Sequence, residues 1–193
     1  MEDIAYISLP KQLPQIQGDT VALNFGMASE PLIGALLRTL AASKPCGRLL
    51  ELGTGTGLAT AWLLNGMDQS STLISVDSDA AVQIVAQRAL GADPRLKLIN
   101  CDALEFVATR TPQSFDLIFA DAMAGKYEGL DLALDLVKPG GFYVIDDMLP
   151  QPNWPDGHSE KIPVLMEQLA RRTDFEFVPM RWATGLVITV RKS

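Results

Sequence analysis

The fold is decided by residues 49–57, LLELGTGTG, in which an apolar run leads directly into three glycines at alternate positions. The run has the length and composition of a buried β-strand, and a helix is predicted at 58–65, immediately after the glycines. Because glycine has no Cβ atom, a ligand could lie against the backbone of such a turn. The ligand would also face the free N–H groups at the helix N-terminus. The stretch therefore predicts a ligand site between the first strand and its helix.

Apolar runs of the same kind recur along the chain and alternate with segments of helical period. Strands are predicted at 48–52, 72–77, 96–100, 115–121 and 142–146. Helices are predicted between them at 58–65, 80–90, 103–110 and 127–138, the last one ended by Pro139-Gly140-Gly141. This alternation is typical of a parallel sheet that is covered by helices on both faces.

The pattern changes after the fifth strand. A helix is predicted at 162–172, followed by strands at 175–180 and 186–191. Residues 181–185 are too few for a parallel crossover, so the last strand is expected to run antiparallel to its neighbour. A further helix is predicted at 30–42. Together these elements predict a single domain at 1–193, with a lead-in or lid at 1–29 and an α/β core of seven strands at 30–193.

Composition limits the kinds of partner that this domain is expected to bind. The 193 residues are 48% apolar and carry a formal charge of -7, which fits one folded domain and disfavours binding to nucleic acid. No apolar run approaches the ~18 residues that a membrane span needs. We therefore expect a cytoplasmic protein with a small-molecule partner and with reduced, buried thiols at Cys46 and Cys101. The single histidine, His158, excludes a histidine-rich metal site and makes a Ser-His-Asp triad improbable.

Acidic residues follow the predicted strands along one edge of the sheet. Asp77 ends the second strand, twenty positions beyond Gly57, where an acid can reach the hydroxyls of a ribose. Asp102 and Asp121 follow the third and fourth strands. Each acid could instead cap the next helix. Beside a glycine-rich turn, however, the set of acids predicts a nucleoside ligand.

The motif at 49–57, with Asp77, Asp102 and the strand FDLIFAD at 115–121, resembles class I S-adenosylmethionine-dependent methyltransferases. More narrowly, residues 27–192 resemble the bacterial relatives of catechol and caffeoyl-CoA O-methyltransferases. The resemblance implies a Rossmann-like, doubly wound sheet of seven strands, mostly parallel with an antiparallel last strand. It also implies S-adenosylmethionine as the cofactor. The residues that it implies for cofactor binding are Glu51, Gly53, Thr54, Gly55 and Gly57 for the methionine portion, Asp77 for the ribose, Asp102 and Ala103 for the adenine, and in addition Ser78 and Asp121.

The resemblance further implies a divalent metal. In this branch of the family, an acid after strand four and an Asp-Asn pair after strand five hold the ion, and this chain offers Asp121, Asp146 and Asp147. Oxygen ligands of this kind select Mg²⁺ or Ca²⁺. Such an ion would lower the pKa of a substrate hydroxyl. The alternative is that these acids line a polar crevice and coordinate nothing.

The position of the candidate catalytic lysine differs from the family pattern. Relatives carry a lysine three positions beyond the strand-four acid, but Ala124 stands there and Lys126 follows two positions later. Lys126 either acts as the catalytic lysine beside Asp121 or is a solvated surface lysine at the start of a helix. In the second case the metal, or another acceptor such as Asp147, would deprotonate the substrate.

Apolar and aromatic side chains in the loops above the same edge are candidates for the walls of an acceptor site. They are Phe25, Met27, Met148, Trp154 and Trp182. The alternative is that they close the core or an oligomer interface. The lead-in is shorter than in most of this branch, so a lid is either abbreviated or supplied by the partner subunit of a homodimer.

The predicted function is methyl transfer from S-adenosylmethionine to a hydroxyl of a small, aromatic acceptor, with assistance from a divalent metal. One alternative is a metal-independent methyltransferase or an aminopropyltransferase that uses the same pocket. Another is a nucleoside-binding subunit without catalysis.

Overall fold

The structure is a computed structural model that describes residues 3–27, 29–152, 154 and 156–193. Its helices are α1 Leu13–Ala22, α2 Pro31–Ala42, α3 Leu58–Gly66, α4 Ala80–Leu90, α5 Ala103–Ala108, α6 Leu130–Asp135 and α7 Lys161–Arg171. Its strands are β1 Arg48–Leu52, β2 Thr72–Asp77, β3 Leu96–Asn100, β4 Phe115–Ala120, β5 Val137–Ile145, β6 Phe175–Met180 and β7 Leu186–Arg191. Short 3₁₀ turns lie at Asp3–Tyr6 and His158–Glu160.

The strands form one seven-stranded sheet in the order β3-β2-β1-β4-β5-β7-β6. Strands β1 to β5 pair in parallel, whereas β7 runs antiparallel to both β5 and β6. The prediction of a doubly wound, Rossmann-like sheet with an antiparallel last strand is confirmed.

Alternate residues of each central strand face opposite layers of helices, since side chains along a strand point to opposite faces. In β1, Leu49 packs with buried residues of α1 to α4, while Leu50 and Leu52 pack with buried residues of α5 to α7. Both faces of the sheet are therefore buried, which explains why the strands are almost continuously apolar in sequence.

The predicted stop at Pro139-Gly140-Gly141 is wrong, because these residues lie inside β5. Pairing between β4 and β5 shifts from Phe115 opposite Val137 to Leu117 opposite Phe142, so the segment forms a bulge. Gly140 takes a left-handed φ of 73°, which suits glycine. Helix α6 accordingly spans only 130–135, and residues 123–129 form turns rather than the helix start that was predicted.

The lead-in contains a helix, α1, that was not predicted. Its Leu13 and Ile16 are buried in the core beneath α2 and α3, and its Thr20 hydroxyl donates a 2.7 Å hydrogen bond to the Thr56 hydroxyl in the glycine loop. Part of the lead-in therefore supports the loop directly.

The two cysteines are free, and they are less buried than predicted. Cys101 is half-buried, whereas Cys46 is exposed at a turn, so the expectation of a buried thiol is wrong for Cys46. Across the ranges that the structure describes, no helix has both the length and the apolar character to cross a membrane.

We predict that Gly57→Ala lowers the free energy of unfolding by about 1–3 kcal/mol. Gly57 has a φ of 94°, and a Cβ there would lie 2.7 Å from the Cβ of Ala86 in α4. The control is Gly18→Ala on the exposed side of α1, where a Cβ would meet no atom within 4 Å. That change is expected to add about 0.5–1 kcal/mol. Urea unfolding followed by circular dichroism measures both, and equal values would contradict the packing role of Gly57.

Candidate active site

The site lies at the switch point of the sheet, where β1 and β4 are neighbours and their helices leave to opposite faces. Leu52 pairs with Ala120, so Gly53 and Asp121 follow at the same level of the sheet edge. Gly53 has a φ of 97°, and a Cβ there would lie 2.5 Å from the carbonyl oxygen of Asp121. The two loops therefore approach as closely as they do only because residue 53 is glycine. A crevice opens above them, as is usual for open α/β sheets.

One part of this crevice, the glycine-loop cavity, has a volume of about 410 Å³. It lies between the loop after β1 and the ends of β2, β3 and β4. The predicted cofactor residues that line it are Gly53, Thr54, Gly55, Asp77, Ser78, Asp102, Ala103 and Asp121. The structure thus brings together residues that are up to 68 positions apart in the chain.

Asp77 holds the glycine loop in place. One carboxylate oxygen accepts a 2.7 Å hydrogen bond from the Gly55 N–H, and the other accepts a 2.8 Å bond from the Asp79 N–H. Asp79, rather than Asp77, caps α4. Asp102 does cap a helix, because it accepts from the Glu105 N–H at the start of α5, and it lines the cavity as well.

Glu51 does not line the cavity but lies beneath it. Its side chain is fully buried and accepts hydrogen bonds from the hydroxyls of Thr60 at 2.6 Å and Ser75 at 2.5 Å. Burial raises the pKa of Glu51 from 4.5 to about 8, so the group is a neutral acid at pH 7. Gly57 also lies outside the lining and packs against α4. In this structure both residues support the loop from behind.

The other part of the crevice, the aromatic cavity, has a volume of about 580 Å³. Its walls include the rings of Tyr127, Trp154 and His158. The residues that line both cavities are Met27, Ser29, Asp121, Ala122 and Met123. The two cavities therefore adjoin at the end of β4.

His158 is part of the aromatic wall, although nothing in the sequence around it suggests a role. Its Nε2 lies 3.2 Å from the Tyr127 hydroxyl, and its ring lies 4.4 Å from that of Trp154, centroid to centroid. Burial lowers the pKa of His158, and nearby Lys126 lowers it further. The imidazole is therefore kept neutral beside the two larger rings.

Lys126 is buried in the wall of the aromatic cavity, and only 3% of it is exposed. The alternative of a solvated surface lysine is therefore wrong. Its Nζ donates a 3.0 Å hydrogen bond to the carbonyl oxygen of Asp147. Burial lowers the pKa of Lys126, while Asp147, Asp121 and Asp146 act in the opposite direction.

The three acids that were predicted to bind a metal are engaged by protein donors. Asp146 accepts from the Thr184 hydroxyl and, at 2.6 Å, from the Asp147 N–H. Asp147 also accepts from the Trp154 indole N–H at 2.6 Å, and Asp121 accepts from the Ser29 hydroxyl at 3.1 Å. Burial raises the pKa of Asp146 to about 7.

These contacts leave a poor fit for a divalent ion. Within the described ranges, no three acidic, histidine or cysteine side chains are gathered closely enough to form a ligand set. A buried lysine also faces Asp121, Asp146 and Asp147. The structure therefore does not support the predicted metal site.

The predicted acceptor walls divide into two groups. Phe25 and Met27 line the glycine-loop cavity, and Trp154 lines the aromatic cavity. Met148 is buried in the core, and Trp182 packs against the core away from both cavities. Ser29 and Thr184, which bind Asp121 and Asp146, could not be found from sequence because single hydroxyl residues in loops carry no pattern.

A glycine loop and a row of acids at the carboxyl edge of a doubly wound sheet define a nucleoside-binding protein of the Rossmann-like class. The family is shown by sequence: residues 50–148, about half of the chain, match the family described as "Methyltransferase domain". The chain belongs to this methyltransferase family.

Several relatives resemble the chain over part of its length. A protein from Mycolicibacterium vanbaalenii assigned as an O-methyltransferase is 34% identical over 123 residues, and the match covers 61% of this chain and 54% of that protein. A protein from Mycobacteroides abscessus with the same assignment is 33% identical over 120 residues, and the match covers 60% of this chain and 56% of that protein. The chain thus spans about half of the length of the curated relatives it matches.

Solved structures match over nearly the whole chain. The O-methyltransferase TomG from Streptomyces achromogenes, involved in tomaymycin synthesis and solved in complex with SAM, has a TM-score of 0.83 at 22% identity, covering 97% of this chain and 92% of that one. An O-methyltransferase from Bacillus cereus in complex with SAH has a TM-score of 0.84 at 19% identity, covering 97% and 93%. At these identities the likeness shows the shared fold.

We predict that Glu51→Gln removes a pH dependence of stability. The pKa of Glu51 is about 8 in the folded chain against an ordinary value of 4.5, so the folded state holds an extra proton between these pH values. The stabilising contribution is complete below pH 4.5 and is lost as the pH rises through 8. Relative to the glutamine variant, the wild type should lose about 1 kcal/mol per pH unit across this window.

Urea unfolding at a series of pH values measures this difference. The control is Glu105→Gln, which changes an exposed glutamate in α5. It should follow the wild-type pH profile. A constant difference between wild type and Glu51→Gln from pH 5 to 8 would contradict a neutral Glu51.

Proposed function

We propose that the chain is an S-adenosylmethionine-dependent O-methyltransferase that acts on a hydroxyl of a small aromatic molecule. The observation that carries the proposal is that the glycine-loop cavity and the aromatic cavity adjoin at Asp121. A methyl donor and an acceptor bound in the two cavities would meet at that carboxylate. The assignments of the curated relatives as O-methyltransferases support the same reaction.

The glycine-loop cavity has the chemistry that an adenosine-bearing sulfonium needs. A Cβ at Gly55 would find only the Phe25 ring, at 3.4 Å and beyond, so this stretch of backbone is open to a ligand. Each oxygen of Asp77 has a second lone pair free after its backbone bond, and it can accept from a ribose hydroxyl. Asp102 would similarly accept from the adenine amino group. When bound, the cofactor supplies an electrophilic methyl group.

The aromatic cavity supports a flat acceptor. The rings of Trp154 and His158 are tilted at 36° to each other with centroids 4.4 Å apart, and Tyr127 stands edge-on to His158. Rings arranged in this way offer both stacking and edge contacts to another ring. The Trp154 N–H is satisfied by Asp147, which fixes the orientation of the indole.

Asp121 is the residue that we place nearest to the reacting atoms. Desolvation raises the pKa of Asp121, which makes its carboxylate a better proton acceptor than an ordinary aspartate. The Ser29 hydroxyl orients that carboxylate from the opposite loop. We propose that Asp121 accepts the proton of the acceptor hydroxyl as the oxygen attacks the methyl carbon and the carbon–sulfur bond breaks, with S-adenosylhomocysteine as the leaving group. Its negative charge also suits the neighbourhood of a sulfonium cation.

We predict that Asp77→Ala weakens binding of S-adenosylhomocysteine by roughly 10- to 100-fold, as expected when charge-assisted hydrogen bonds to a ribose are lost. Isothermal calorimetry measures the change, and thermal melting checks that the glycine loop remains folded. The control is Asp131→Ala, which removes an exposed carboxylate of α6 and its surface ion pair with Arg172. Its affinity should equal that of the wild type. Unchanged affinity in Asp77→Ala would place the ribose elsewhere.

We predict that Trp154→Ala raises the KM for an aromatic hydroxyl acceptor about tenfold, which corresponds to the loss of one aromatic contact. A panel of phenols, catechols and aliphatic alcohols, assayed by methyl transfer from S-adenosylmethionine, identifies the acceptor class. Trp182→Ala is the control, since Trp182 lies outside both cavities; it should lower the melting temperature and leave KM unchanged.

Two outcomes would contradict the proposed function. Binding of S-adenosylhomocysteine without methyl transfer to any hydroxyl compound would indicate a nucleoside-binding subunit. Transfer to aliphatic alcohols with no preference for rings would contradict the role of the aromatic cavity.

A further inference from the structure

We propose that the ammonium group of Lys126 is the resident cation of the acceptor site, so that methyl transfer here requires no divalent metal. The inference deepens the proposed function, on which it rests, because it concerns the floor of the same aromatic cavity. It is carried by the burial of Lys126 among three carboxylates and by the contacts that hold it there.

The turn that carries Lys126 is anchored to the core. Gly125 has a φ of 81°, a Cβ there would lie 2.5 Å from the side chain of Leu52, and the buried Tyr143 hydroxyl donates to the Gly125 carbonyl. The Gly125 N–H donates a hydrogen bond to the carbonyl oxygen of Glu128 at 2.7 Å. With the backbone fixed on both sides of Gly125, the next side chain is directed inwards rather than into solvent.

The negative charge around the cavity favours a cation at this place. Asp121, Asp146 and Asp147 line it, and each interacts electrostatically with the ammonium group. Lys126 is the one lysine or arginine among the described residues of the lining. Carboxylates crowded together repel one another, while a buried ammonium is costly without opposite charge nearby. The carboxylates therefore stabilise the buried ammonium group, and the ammonium group reduces the repulsion among the carboxylates.

The contacts of the ammonium and of the acids leave little place for a second cation. Nζ donates to the Asp147 carbonyl at 3.0 Å and lies 5.0 Å from the centre of the Tyr127 ring. Thr184 and Trp154 donate to the carboxylates of Asp146 and Asp147. A divalent ion placed among these carboxylates would be repelled by the positive charge of Lys126, which interacts with all three of them.

This arrangement has a consequence for the acceptor. A metal ion that activates a hydroxyl commonly holds two neighbouring oxygens of its substrate, whereas an ammonium group donates single hydrogen bonds. A substrate with one ring hydroxyl should therefore react as well as one with two adjacent hydroxyls. The geometry points to a monohydroxylated ring as a sufficient acceptor.

The decisive experiment is a metal titration that needs no catalysis. Wild type, Lys126→Met and the exposed control Lys97→Met are melted in EDTA and in millimolar Mg²⁺, Mn²⁺ or Ca²⁺. Wild type and Lys97→Met should show the same melting temperature in all buffers. Lys126→Met leaves three carboxylates without a counter-charge and should gain roughly 3–5 °C on addition of metal. Calorimetry with Mn²⁺ should show no stoichiometric site in the wild type.

Saturable, stoichiometric Mn²⁺ binding by the wild type would overturn the proposal, as would a folded Lys126→Met that gains no metal response. If Lys126→Met fails to fold, the wild-type Mn²⁺ titration decides alone. Methyl transfer by the wild type should also survive EDTA, with phenol and catechol rates within about tenfold of each other. Loss of transfer in EDTA and its return with Mg²⁺ would again overturn the proposal.

Failure of the proposed function gives a different result. A protein that does not bind S-adenosylhomocysteine would contradict the proposed reaction, whatever its metal response. A protein that binds it and transfers methyl groups, but only with metal, would contradict the role of Lys126 alone.

Discussion

The approach of Gly53 to the Asp121 carbonyl sets the geometry of the whole site. A Cβ at residue 53 would lie 2.5 Å from that oxygen, so any other residue would push apart the loops that follow β1 and β4. These loops belong to adjacent strands whose helices leave to opposite faces, and the crevice between them is the junction of both cavities. Asp77, bound to the Gly55 N–H, and Thr20, bound to Thr56, hold the loop in that position.

Two buried ionisable groups near this junction are stabilised in different ways. Within the described ranges, Glu51 has two hydroxyl donors and the acids Asp121 and Asp77 as charged neighbours, and burial raises its pKa to about 8, so it stays neutral at pH 7. Lys126 lies among three carboxylates, and in our proposal it keeps its charge for that reason. A neutral buried acid, Glu51, thus supports the glycine-loop cavity, and a buried lysine, Lys126, offsets the negative charge of the aromatic cavity.

Much of the fold could be predicted because it depends on local pattern. The bounds of β1, β2, β3, β6 and β7 follow directly from apolar runs, as does the glycine loop. The helix stop predicted at Pro139-Gly140-Gly141 was wrong because these residues suit a helix stop and a strand bulge equally well. The burial of Lys126 and the donors Ser29 and Thr184 depend on tertiary contacts across the loops, and no spacing in the sequence encodes such contacts.

The place of β7 between β5 and β6 affects the order in which the two halves can form during synthesis. The glycine loop and its supporting acids are complete once the first five strands have left the ribosome. The donor Thr184 and the strand β7 that it precedes come much later in the chain, yet they complete the surroundings of Asp146. In chain order, every residue that lines the glycine-loop cavity therefore precedes the last residues that line the aromatic cavity.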